Sequence, residues 1–144
     1  RFATISRMKQ IKVEVIVNEP VEKAWACYTE PEHVTEWNHA SDDWHSPRAE
    51  NDLRVGGKFN YRMEAKDGSA GFDFEGEYDT VTPNKRIEYH MSDGRKVSVA
   101  FEEVGNSTHL AVVFDPENEN SEELQRAGWQ SILDNYKSHT ESSH

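Results

Sequence analysis

Apolar residues follow two periods along this chain, one of two and one near 3.6. Between Lys9 and Val17, Ile11, Val13, Val15 and Val17 alternate with Lys12 and Glu14, the pattern of a half-buried strand. Val21, Ala24, Trp25 and Tyr28 then recur at helical spacing behind Pro20, which suits a first helical turn. A short amphipathic helix is expected over 20–29. Glu30-Pro31 interrupts it, and Val34 and Trp37 mark a second helical turn or two. Residues 38–51 show neither period and read as a long loop. Alternation returns at Leu53. Val55, Gly57, Phe59, Tyr61 and Met63 share a face up to Ala65, and Phe72, Phe74, Gly76 and Tyr78 share one within 72–82. Further strands are expected at 86–92, 95–104 and 108–115, the last with Leu110, Val112 and Phe114 inward. From Asn120 to Ser138 the helical period takes over. Leu124, Gly128, Trp129, Ile132, Leu133 and Tyr136 form one face; Glu123, Arg126, Gln130, Asp134 and Lys137 form the other. Asn120 is the expected cap, with Glu123 reaching back to it. Gln125 interrupts the apolar face.

The order is β-α-α-β-β-β-β-β-α. Hairpin links make an α+β fold with a six-stranded antiparallel sheet, whose face the long helix must cover. Pairing across the 67–71 loop sets Arg62 near Glu75 and Lys58 near Asp79. At Asp93-Gly94 two registers compete. A two-residue turn opposes Tyr89 to Ser98 and puts Val97, Val99 and Phe101 on the face of Glu88 and His90, whereas a bulge or longer loop restores one apolar face. A single domain is expected over 8–140. Residues 1–7, ahead of Met8, read as a non-native leader or disordered extension, and the tail after Ser138 as frayed.

The chain has 144 residues and a net charge of −11. That balance disfavours a nucleic-acid partner. No run reaches the length of a membrane span, and no signal-peptide pattern opens the chain. The single Cys27 allows no internal disulfide and suits a cytoplasmic setting; it reads as packing.

Several residue groups recur in an order that resembles the START-like, or helix-grip, superfamily (also called SRPBCC). They are Pro20-Val21-x-x-Ala24-Trp25, Thr29-x-Pro31-Glu32, Trp37, Gly56-Gly57-x-Phe59, Gly76-x-Tyr78-x-x-Val81-x-Pro83-x-x-Arg86-Ile87, Val99-x-Phe101, Thr108-x-Leu110 and Gly128-Trp129-x-x-Ile132-Leu133. The nearest likeness is to the branch named for the activator of heat-shock chaperone ATPase. The resemblance implies a curved sheet wrapped around the C-terminal helix with a cavity between them. It also implies apolar, aromatic or lipid-like ligands, with cyclases and dehydratases among the relatives, and leaves a cyclase- or hydrolase-type enzyme as an alternative. The eukaryotic ATPase activators carry a separate chaperone-binding domain, for which this chain has no room.

The inward faces nominate Phe59, Tyr61, Met63, Phe72, Phe74, Tyr78, Trp129, Ile132, Leu133 and Tyr136 as cavity lining, although the same list also fits plain core. Gln125 and Tyr136 are its candidate polar handles. Trp37 and Trp44 bracket the 38–51 loop, which is placed as a lid with Asp42 and His45 pointing inward. Asp42, His45 and Tyr61 are the candidate acid–base groups of an enzymatic alternative. His39, Asp42, Asp43 and His45 match no metal-binding spacing, so no metal and no cofactor are assigned. A small apolar ligand is the expected partner; a chaperone partner is a further alternative.

Overall fold

The computed structural model describes residues 9–143. The expectations for residues 1–7 and for Met8 as the domain's first residue lie outside them. Ten elements follow in order: β1 (Ile11–Val17), α1 (Val21–Thr29), α2 (Pro31–Trp37), β2 (Trp44–Asn51), β3 (Lys58–Ala65), β4 (Gly71–Thr82), β5 (Arg86–His90), β6 (Lys96–Val104), β7 (Ser107–Phe114) and α3 (Glu122–Ser142). All seven strands form one antiparallel sheet, ordered β1-β7-β6-β5-β4-β3-β2. Each strand pairs with its successor except β1, which returns to lie beside β7. Among the described residues, no helix is long and apolar enough to cross a membrane.

The expected six strands become seven, because β2 occupies most of the segment read as a loop. β2 is an edge strand with little alternation: of its eight residues only Ser46 is buried, and its register with β3 shifts between His45 and Arg48. Pro47 sits in that irregularity, where a missing N–H costs no ladder bond. The edge is further protected by Arg48 and Glu50, in the manner of edges that resist unwanted pairing.

Alternation elsewhere is obeyed. β1, β3 and β7 bury every second residue, and β6 buries Val97, Val99 and Phe101. The two registers left open at Asp93-Gly94 resolve to the longer loop: Tyr89 faces Val97 and His90 faces Lys96. Met91 N–H donates to Arg95 O at 2.9 Å and Gly94 N–H to Met91 O at 2.9 Å, with Gly94 at φ 91°. One left-handed glycine therefore shifts the register by one residue and keeps the apolar residues of both strands on one face.

Three local expectations are corrected. The β3–β4 hairpin pairs Arg62 with Asp73 and Lys58 with Glu77, two residues from the expected register, because strand pairing runs on to Glu64 and Gly71. The first strand residue after β2 is Lys58, and Val55 is exposed in a turn. α3 is capped by Ser121, whose hydroxyl accepts Leu124 N–H at 3.1 Å, and not by Asn120. The helix also runs past Ser138 to Ser142. Thr140 is fully buried, and Glu141 accepts from Asn18 N–H at 2.7 Å and from Lys137 Nζ at 2.8 Å, so the last turn is held.

α3 lies along the concave side of the sheet. Trp129 stacks on Phe114 of β7 with centroids 4.0 Å apart and meets Phe74 of β4 edge-on at 6.0 Å. Further along, Leu133 and Tyr136 are buried, and Tyr136 meets Tyr28 of α1 and Trp37 of α2 at 5.2 and 5.4 Å.

Candidate functional site

The sheet bends away from α3 faster than side chains fill the gap, leaving a cavity of about 410 Å³ between α3 and strands β3, β4 and β5. That lies within the ordinary range for small-molecule sites, roughly 300–1,000 Å³. Its walls are Val13, Phe59, Met63, Phe74, Ile87, Met91, Val112, Trp129, Ile132 and Leu133, with Trp37 and Thr29 at the helical end. Phe72, Asp73, Glu75, Ser92 and Asp93 are exposed residues of the lining and define its mouth, with Arg95 beside them.

Four tyrosines, Tyr28, Tyr61, Tyr78 and Tyr89, give this apolar space its polarity. Phe59 is the hub that orients three of them, with ring centroids 4.9 Å from Tyr61, 5.5 Å from Tyr78 and 4.7 Å from Tyr89. Tyr28 is set from the other side by stacking on Trp37 at 5.3 Å. Burial raises the pKa of all four phenols, and each phenol also feels at least one of the others. Tyr78 is pushed up to about 12. They therefore stay protonated at neutral pH and act as hydrogen-bond donors, not bases.

These donors are not equivalent. Tyr78 spends its proton on Asn51 Oδ1 at 2.6 Å, while Asn51 Nδ2 donates to Thr29 O at 2.7 Å. Tyr61 faces Tyr78. Tyr28 and Tyr89 have no hydrogen-bond partner among the described residues, so their hydroxyls remain available to whatever enters. Among the described residues, the walls hold no Lys, Arg, His, Asp or Glu. The charged residues of the lining are all at the mouth, and three of those four are acidic. Arg95 is held there by Asp93 at 2.8 Å.

Ten nominated residues line this cavity: Trp37, Phe59, Tyr61, Met63, Phe72, Phe74, Tyr78, Trp129, Ile132 and Leu133. Three others lie elsewhere. Trp44 packs on Phe72 at 6.0 Å, outside the lining. Gln125 is buried but turned the other way. Its oxygen accepts Glu117 N–H at 2.9 Å, and its amide donates to Glu117 O and Asn120 O at 3.0 and 2.9 Å. It fastens the segment ahead of α3, which explains a polar residue on the apolar face. Tyr136 donates to Ala24 O at 2.6 Å and belongs to the helix–helix core.

The lid and its acid–base pair are not formed. Asp42 is exposed in the turn before β2, and His45 lies on the edge strand with Nε2 3.9 Å from Glu64 Oε1. Of the three acid–base candidates only Tyr61 reaches the cavity. Tyr28, Asn38 and Tyr89 were missed as lining. Tyr28 reads as helix packing in sequence, Asn38 as the start of a loop, and Tyr89 depended on the unresolved β5–β6 register. Asn38 is buried at the cavity's edge, with Nδ2 3.2 Å from Met63 Sδ.

Comparison with known proteins agrees with this architecture. Residues 18–141 match the family model described as Activator of Hsp90 ATPase homolog 1-like protein. The solution structure of an AHSA1-like protein from Aeromonas hydrophila is 39% identical, with a TM-score of 0.83 over 92% of this chain and 94% of that one. A solution structure from Cytophaga hutchinsonii is 50% identical, with a TM-score of 0.81 over 92% of each chain. A crystal structure from Nitrosomonas europaea shares the fold at 18% identity, with a TM-score of 0.83. No curated protein sequence matches.

Proposed function

The chain belongs to the Activator of Hsp90 ATPase homolog 1-like family, and from that premise we propose that it binds a small, largely apolar molecule in the cavity between α3 and the sheet. The single observation that carries this reading is an aromatic-walled space of about 410 Å³ that retains two unpartnered phenol donors. Both hydroxyls border the open cavity, where phenylalanine would fill the same wall without offering a donor.

The chemistry of the lining narrows the ligand. Flat aromatic walls suit a planar ring system. Phenol donors suit a carbonyl or ether oxygen. A buried carboxylate would find no cation within the walls and would pass an acidic mouth, so neutral aromatic carbonyl compounds fit better than fatty acids. Binding is favoured over catalysis because the interior holds no group that can take a proton at neutral pH.

Calorimetric titration with flavone and with palmitate tests this reading. Flavone is expected to bind with one-to-one stoichiometry and at least tenfold more tightly than palmitate. Absence of saturable flavone binding, or tighter palmitate binding, would refute it.

A further inference from the structure

Cys27, His33 and His139 are separated in sequence and sit on three different helices, yet their donor atoms lie within 4.8 Å of one another. We propose that these three side chains bind a single zinc ion, at a site distinct from the apolar cavity. Cys27 comes from the last turn of α1, His33 from the first turn of α2 and His139 from the end of α3. His33 Nδ1 and His139 Nε2 face each other at 2.9 Å, with ring centroids 5.1 Å apart and planes inclined at 62°.

The ligand set suits zinc, which takes thiolate sulfur at about 2.3 Å and imidazole nitrogen at about 2.0–2.1 Å. A tetrahedral ion with those bonds holds its nitrogens about 3.4 Å apart and its sulfur about 3.6 Å from each. The two rings must part by about 0.5 Å and the sulfur must approach by up to about 1.2 Å. Side-chain rotation supplies such movements without shifting the helices. One cysteine and two histidines leave a fourth position for water, as in open zinc sites.

Two further observations point the same way. His33 Nε2 lies 3.9 Å from Glu30 Oε1, so the ring nitrogen that does not face the cluster is turned to a carboxylate. At that distance no hydrogen bond is formed, but a small rotation of the Glu30 side chain would supply the carboxylate support that commonly orients a ligating histidine. Thr140 Oγ1 is fully buried beside the Cys27 thiol and, among the described residues, makes no close hydrogen bond beyond weak contacts with that thiol and the Tyr136 hydroxyl. A thiol is a weak acceptor, but a zinc-bound thiolate accepts a hydroxyl proton well, so metal binding strengthens the Thr140 contact. The ion enters from the side of the two half-buried histidines, and the thiol gives up its proton to solvent on binding.

The test uses the full chain stripped with chelator, titrated with cobalt(II) as a spectroscopic probe and then with zinc in competition. One equivalent of cobalt is expected to give a thiolate-to-metal charge-transfer band, which zinc abolishes. Cys27→Ser is expected to lose the band, and His33→Gln combined with His139→Gln to weaken zinc binding at least tenfold. No band in the wild-type protein, or zinc affinity within twofold of wild type in the double variant, would overturn the proposal. Where a variant does not fold, the wild-type amide spectrum decides. Zinc-induced shifts centred on residues 27, 33 and 139 support the site, and shifts confined to the acidic surface overturn it.

Discussion

Each of the four cavity phenols occupies a different energetic position, and single substitutions separate them. Tyr89→Phe and Tyr28→Phe remove hydroxyls with no partner among the described residues, so stability is expected to hold or rise slightly. Affinity for a carbonyl ligand is expected to fall about 2–10-fold for each, the value of one neutral hydrogen bond, read by calorimetry. Tyr136→Phe should do the reverse. Its hydroxyl donates to Ala24 O at 2.6 Å in the sealed helix–helix core, so the change is expected to cost about 1–2 kcal/mol in urea denaturation and leave ligand affinity unchanged. Reversal of that split would separate the lining described above from the one that binds. Gly57 sets another residue-scale limit. A Cβ there would lie 2.1 Å from Asp52 O, so Gly57→Ala must push backbone apart and is expected to lower stability by about 1–3 kcal/mol. A urea midpoint equal to wild type would show that the turn before β3 yields freely.

At the scale of elements, the sequence was most legible where burial is one-sided and periodic. β1, α1, α2, β7 and α3 could be read because a strand or helix with one buried face prints its period in the chain. β2 could not, because its register shift beside β3 breaks the alternation and only Ser46 of its eight residues is buried. A different limit hid Tyr89. Tyr89 joined the cavity only through the left-handed Gly94, a backbone choice that moves a register by one residue. Gln125 misled for a related reason: a polar residue on an apolar face announces a buried partner but not whether that partner is ligand or chain. His33 and His139 are 106 residues apart, so no spacing could announce them.

The helix ends also set a pH dependence. Burial, and the facing His33, lower the pKa of His139, with Lys23 acting in the same direction and Glu36 opposing. Above its ordinary value of 6.5 the ring is neutral whether the chain is folded or not. Below 6.5 the unfolded chain takes up a proton that the folded chain resists, so stability falls as pH drops through that value towards the lower folded one. Urea midpoints measured with chelator at pH 7.5 and 5.5 are expected to show this loss, and His139→Gln is expected to flatten it. An equal slope in the variant would assign the loss to other groups.

On the scale of the whole molecule, a net charge of −11 and an acidic mouth act together on anything that approaches. On the proposed reading, anionic ligands would be repelled on the way in and unpaired once inside, whereas neutral ones would meet neither penalty. Residual palmitate binding is therefore expected to strengthen as salt rises towards about 0.15 M, where screening acts over about 8 Å, while flavone affinity stays constant. Salt-independent palmitate binding would place the carboxylate away from the mouth. One curled sheet and one helix define the space, and Phe59 orients three of its phenols. The measurement that tests this account most directly is a two-dimensional amide NMR titration with flavone. Saturable shifts centred on Tyr28, Tyr61, Tyr89 and Trp129, with β2 and its edge unchanged, are the predicted result. Shifts scattered over the surface, or none at a ligand concentration that saturates the calorimetric signal, would contradict it.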